Sequence, residues 1–363
     1  VQLFFVNPRY EDHRWDGARV HITQLTKSLT ALGHRVFAFP HLAREELIPL
    51  QHAGFGKLQQ LRQMDAFYVR IEGTPPVLPR FMKWPMSGLF RHVPVVWEVN
   101  ATPQLRHLKW SHAETGRAEA RLARFRQASR QADLAICNTH GLADYARDLG
   151  ITQRAVVPLG SDPDLFFLDA SGTEDVPANL GGLNVVWCGN AAIAWHDLDS
   201  LMAAARELES EPGIRFYIVA KEPPIIDLPA NVVLLGERPY AQMPGLLAHM
   251  DVGLCLYRKE NWTSYGTFSS PLKLFDYMAS GLIILASPIE QVRECFSRGD
   301  IGFMLPFEEP VALADTLKRI LREKPQMQAK RTTARLLVTQ YYNWRRVAEE
   351  TAQAILSLKS MQS

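Results

Sequence analysis

The chain has 363 residues, 47% of them hydrophobic and 10% aromatic, enough to bury the cores of about two domains. A formal charge of +2 gives no basic excess that would argue for a nucleic-acid partner, and no apolar run nears the roughly 18 residues of a membrane span. The four cysteines, Cys137, Cys188, Cys255 and Cys295, stand far apart, which argues against a zinc site or disulfide framework and reads as reduced core thiols. The chain opens on the strand-like VQLFFV rather than on a basic and then apolar targeting segment, so a cytoplasmic location is expected.

In chain order, short apolar runs alternate with amphipathic stretches, the pattern of parallel strands joined by crossover helices. Strands are expected at Val1 to Val6, Arg35 to Phe39, Ala66 to Arg70, Val93 to Val99, Leu134 to Cys137 and Ala155 to Val157. Between the first two, Ile22, Leu25, Leu29 and Leu32 define one apolar helix face, and Gly33 sits where a left-handed C-terminal cap belongs. The pattern fades at DASGTEDVPANLGG, Asp169 to Gly182, and restarts with LNVVWCG. Further strands are expected at Leu183 to Cys188, Ile214 to Val219, Val232 to Leu235, Val252 to Leu256 and Leu282 to Ala286. The organisation is therefore α/β: two doubly wound, Rossmann-like domains, at 1–168 and 183–340, followed by a segment at 341–363. Ligands of such sheets collect at the carboxyl ends of the strands, so two facing domains would enclose a cleft.

The run SSPLKLFDYMASG, Ser269 to Gly281, is an unusual helix. Ser270 suits its cap, Pro271 its first position and Gly281 its end. Leu272, Phe275, Met278 and Ala279 fall on one face, and Lys273, Asp276, Tyr277 and Ser280 on another. A helix N-terminus with Ser269, Ser270 and Lys273 suits a phosphate, and a carboxylate a turn further on suits a ribose diol. The alternative is that Lys273 and Asp276 are a surface ion pair.

SPLKLFDYMASG with the strand LIILAS resembles the nucleotide-sugar motif of the retaining GT-B glycosyltransferases of the group 1, or family 4, type. DGARVHITQLTKSLTALGHRV resembles that family's first glycine loop and helix, and VVPLGSDPDLF its exit from the first domain. VVWCGNAAIAWHDLDSLMAA is similar to the opening of its donor domain, and YYNWRRVAEETAQAIL to the C-terminal helix that crosses back to the first domain. The resemblance implies transfer of a sugar from a nucleotide-diphosphate donor to a hydroxyl acceptor with retention, the acceptor being a glycan, a lipid-linked glycan or a small molecule. Domain closure and stabilisation of the departing diphosphate would drive it. A nucleotide-sugar epimerase of the same fold and a noncatalytic binding protein are the alternatives.

The resemblance also locates a site. Donor contacts are expected from Gly17, Gly189, Asn190, Ser269, Ser270, Lys273 and Asp276, and catalytic contributions from Glu98, Asn100 and His196. Two departures stand out: Phe268 occupies the position of a family glutamate, and Asn190 and His196 align with the family's diphosphate-neutralising Arg and Lys. Glu98 and Asn100 end the strand of VPVVWEVNATPQLRH, where the sugar and acceptor are expected, although a structural ion pair would also explain Glu98. The triplets DPD (Asp162 to Asp164) and DLD (Asp197 to Asp199) read as turns or caps, and neither a metal nor another cofactor is expected. The basic run Arg117 to Arg130, with five arginines, reads as a solvated helix face; the alternative is a peripheral contact with an anionic membrane or a lipid-linked acceptor.

Overall fold

The computed structural model describes residues 1–6, 17–39, 47–49, 54–72, 93–102, 115–166, 182–221, 227–259 and 264–362. They form two compact units, Val1–Pro158 with Thr263–Phe268 and Trp344–Ser363, and Leu159–Trp262 with Ser269–Asn343.

The first unit contains β1 (Gln2–Phe5), α1 (Gly17–Ala31), β2 (Arg35–Ala38), β3 (Ile48–Pro49), α2 (Gly54–Arg62), β4 (Ala66–Glu72), β5 (Val95–Ala101), α3 (Thr115–Ser129), β6 (Leu134–Cys137), α4 (His140–Asp148) and β7 (Arg154–Val156). The seven strands lie in the order β3-β2-β1-β4-β5-β6-β7, with every pairing parallel. α1 buries Ile22, Leu25 and Leu29. It ends in a Schellman turn, with Gly33 at φ 82°, the His34 amide donating to the Leu29 carbonyl and the Gly33 amide to that of Thr30.

The second unit contains β8 (Leu183–Cys188), α5 (Leu198–Glu207), β9 (Ile214–Val219), β10 (Val232–Leu234), α6 (Met243–Leu247), β11 (Val252–Cys255), α7 (Leu272–Ala279), β12 (Ile283–Ala286), α8 (Glu290–Arg298), β13 (Gly302–Met304), α9 (Pro310–Arg322) and α10 (Gln328–Gln340). Its six parallel strands run β10-β9-β8-β11-β12-β13. The near-continuous burial of β8, β11 and β12 is what a parallel sheet covered on both faces requires. The last helix, α11 (Trp344–Gln362), returns to the first unit and packs on α1.

In both sheets the chain order reverses beside the first strand, between β1 and β4 and between β8 and β11. Crevices at the carboxyl ends of such switch points are where doubly wound sheets bind ligands.

The boundaries differ from the expectation: Thr263–Phe268, inside the expected second domain, belongs to the first unit, and residues 341–343 stay with the second unit. Residues 159–166 belong to the second unit, not to a first domain running to 168. Gly160 lies so close to the Tyr342–Asn343 backbone that a Cβ would meet the Tyr342 oxygen at 2.8 Å, and Ser161 forms a parallel bridge with Asn343. Arg335 donates to the Phe166 and Pro163 carbonyls, at 2.9 and 3.1 Å. Asp169 to Gly181, most of the expected linker, lies outside the described residues.

Candidate active site

In the second unit the switch point is framed by Gly189 after β8 and by Leu256 and Tyr257 after β11. Gly189 has φ 152°, and a Cβ there would stand 2.9 Å from Lys273 Nζ, so the missing side chain is the space the ammonium fills. Lys273 comes from the first turn of α7. Its Nζ lies 4.3 Å from the centroid of the Trp187 ring and 5.9 Å from that of Tyr257, buried and without a hydrogen-bond partner among the described residues. Burial pushes its pKa below the ordinary lysine value. Among the described residues this cation meets two aromatic faces and no hydrogen-bonded anion.

The loop after Gly189 is stitched to the end of β11. Asp197 N–H donates to the Leu256 carbonyl and Arg258 N–H to that of Trp195. His196 is 9% exposed, enclosed by Trp187, Trp195 and Tyr257, and its Nδ1 lies 2.9 Å from the Asn190 carbonyl. That carbonyl only accepts, so Nδ1 carries a proton and the ring holds the loop. Asn190 is exposed, and its side chain accepts from the Ala192 amide. Asp197 caps α5 by accepting from the Ser200 amide, and Asp162 accepts from the Asp164 and Leu165 amides, so the acidic triplets are a cap and a turn. Among the described residues no group of three or more His, Cys, Asp or Glu could hold a metal.

The helix of the opening motif departs from its sequence reading at the start and on one face. Pro271, not Ser270, is its N-cap, with no side-chain cap. The Ser270 hydroxyl instead accepts from the Leu159 amide and donates to Gln291, at 3.2 and 3.3 Å. Ser269 is hydrogen-bonded to Tyr257. The face expected to meet a ligand is largely inside: Asp276, Tyr277 and Ser280 are all buried. Asp276 forms no surface pair with Lys273; its Oδ1 accepts from the Ser161 hydroxyl at 2.6 Å and from the Tyr240 hydroxyl at 3.1 Å. Burial lifts its carboxyl to about 7. Nothing in the local sequence pointed to Tyr240. Ser161 stands in the quoted VVPLGSDPDLF, where the serine alone gave no sign of its partner.

The other expected residues lie in the first unit. Glu98, on β5, is 2% exposed and accepts from Arg70 Nη1 of β4 at 2.9 Å. His21 Nδ1 of α1 lies 3.0 Å from both groups, its ring stacked on Trp344. Glu98 therefore anchors a buried ionic cluster, the arrangement the ion-pair alternative described. Asn100 accepts from Asn138 at 2.6 Å. Gly17 is exposed at the start of α1, and the preceding residues 7–16 lie outside the described set. Phe268 is 2% exposed, and its carbonyl accepts from Thr139. In the basic run, Arg124, Arg126 and Arg130 face solvent, and among the described residues no helix is long and apolar enough to cross a membrane.

The comparisons bear on this geometry. Residues 182–323 match the family described as group 1 glycosyl transferases, whereas no curated protein matches the chain. Among solved structures, sucrose-phosphate synthase from Thermosynechococcus elongatus is 16% identical over 99% of both chains, with a TM-score of 0.70. A glycosyltransferase from Rickettsia africae is 12% identical over 99% of this chain and 98% of its own, with a TM-score of 0.68. Anabaena HepE, solved with UDP-glucose, is 15% identical over 98% of this chain and 99% of its own, with a TM-score of 0.66. Residues 182–323 thus match the group 1 glycosyl transferase family, and the chain as a whole has the two-sheet GT-B fold of the structures it resembles.

Proposed function

We propose that the protein is a glycosyltransferase that takes a nucleotide-diphosphate sugar at the switch point of the second unit and transfers the sugar, with retention, to a hydroxyl acceptor. The observation that carries the reading is the buried, unpartnered ammonium of Lys273 against Gly189. Asn190 Oδ1 and His196 Nδ1 are bonded within the loop itself, and Lys273 with the amides opening α7 would take the departing diphosphate. HepE, a structural relative, has been solved with UDP, UDP-glucose, and UDP together with glucose, which supports a donor of that class. A phosphate oxygen of the donor would receive the acceptor's proton, so no covalent nucleophile is required.

Asp276 would meet the ribose, and in the first unit Glu98 would fix the carboxyl end of β5, where Asn100 stands. The test is a screen of nucleotide diphosphates and their sugars by thermal shift and by turnover, with and without a chelator. A ligand at a hundred times its Kd should add about 2.7 kcal/mol, and turnover should persist in the chelator. A screen in which no nucleotide diphosphate stabilises the protein would overturn the donor site. Epimerised donor without acceptor would make the chain an epimerase, and tight binding without turnover a binding protein.

A further inference from the structure

Tyr277 stands four residues, about one helical turn, beyond Lys273 on α7, and it is fully buried. β8 and β11 pair at Val185 with Val252 and at Val186 with Gly253. Past that point the last amide of β8, Cys188 N–H, donates to Tyr277 Oη at 2.8 Å. The same oxygen lies 3.1 Å from Cys188 Sγ. Burial holds the phenol far above its ordinary pKa, so it keeps its proton: Oη accepts from the amide, and in its contact with the sulfur either group can donate. The other end of the side chain is fixed by β11. A Cβ at Gly253 would fall 2.4 Å from Tyr277 Cδ2 and 2.5 Å from Cγ, so the ring seats on the strand only because residue 253 is glycine.

Tyr277 is thus a strut across the switch point. Its base lies on the helix that carries Lys273, its ring lies on β11, and its tip lies on the residue before Gly189. We propose that Tyr277 is a positioning residue for the donor's phosphates, setting the separation between the Gly189 backbone and the Lys273 ammonium. This rests on the donor reading given above. The strut acts only where the phosphates sit and leaves recognition of the nucleoside to other groups.

The experiment compares Tyr277→Phe with the wild type by calorimetry, using UDP, GDP and ADP, each with its monophosphate. The variant keeps the ring over Gly253 and removes only the oxygen. Its diphosphate Kd is expected to rise about five- to tenfold, the scale of one lost buried hydrogen bond, while the monophosphate Kd stays within about twofold. Cys188→Ser, which keeps the amide bond to Oη, should leave both values near wild type.

A folded Tyr277→Phe variant with unchanged Kd values, or with both weakened equally, overturns the strut. If the wild type itself binds no diphosphate more tightly than the monophosphate, the donor reading fails and the strut with it. Should the variant not fold, 3-fluorotyrosine placed at 277 alone gives a second reading. Its ¹⁹F signal should shift with the diphosphate and not with the monophosphate, and a signal indifferent to both refutes the proposal.

Discussion

Replacing Lys273 by methionine should move stability and binding in opposite directions. Methionine keeps most of the stem against Trp187 and Tyr257 and deletes a buried ammonium that has no hydrogen-bond partner among the described residues. Desolvating such an ion costs several kcal/mol, whereas a desolvated cation–π contact returns only about 2 kcal/mol. The unliganded protein should therefore gain about 1–2 kcal/mol, a rise of about 2–4 °C in Tm for each. The same change removes the charged donor facing the phosphates, and each lost charge-assisted bond is worth about 1.5–3 kcal/mol, so diphosphate affinity should fall on the order of 10- to 100-fold. Urea melts of the unliganded protein and calorimetry with the tightest-binding nucleoside diphosphate measure the two effects separately. A variant that loses stability while binding the nucleotide normally would show that the ammonium is part of the core packing and refute its assignment to the donor.

Asp276 should make stability pH-dependent. Its folded pKa of about 7 lies above the unfolded value, so the folded state holds the extra proton; its contribution is full below about pH 4, is lost as pH rises toward 7 and is flat above, a few kcal/mol in all. Urea melts from pH 4 to 8 should show this slope in the wild type and not in Asp276→Asn, and that variant should also bind nucleoside diphosphates about tenfold more weakly at pH 8; equal slopes in the two proteins would place the titration elsewhere. Glu98→Gln leaves the Arg70 guanidinium buried without its carboxylate and should cost about 3–5 kcal/mol in a denaturant melt. Turnover should fall in that variant while affinity for nucleoside diphosphates holds, and a loss below about 1 kcal/mol would mean the cluster is not what Glu98 is for.

Which features could be read from the sequence follows from how far apart their causes lie. β8 and β12 were visible because strands buried on both faces are bare apolar runs. β3 and β13 were not, being two and three residues long at sheet edges, where pairing comes from the neighbouring strand rather than from a pattern of their own. At Gly302 a Cβ would meet the Ile284 carbonyl oxygen at 1.9 Å, a constraint that only the folded neighbour imposes. The helix of α7 was legible from its periodicity, but its start was not. Ser270 looks like a cap until Leu159 and Gln291 claim its hydroxyl, and both partners are remote in sequence. The same holds for Asp276, whose partners Ser161 and Tyr240 lie 115 and 36 residues away. Trp187 lies inside an expected strand and Tyr257 just past another, and only the placement of Lys273 over their rings gives them a role.

The last helix has a consequence for how the chain is made. α1 ends at Ala31, yet the helix that covers it begins only at Trp344 and contributes Val347, Ala348, Ala352, Ile355 and Leu358 to the buried surface. A segment between them, Thr263–Phe268, also belongs to the first unit. A nascent chain that has finished all seven strands of the first sheet still lacks two pieces of that unit, so the side of α1 that α11 covers stays open while the second unit is being synthesised. The usual order, in which the domain nearer the N-terminus is complete before the next one starts, is closed to this protein. Its second unit can settle first, and the first can close only when α11 has left the ribosome, so the side of α1 that α11 covers waits in the open until then.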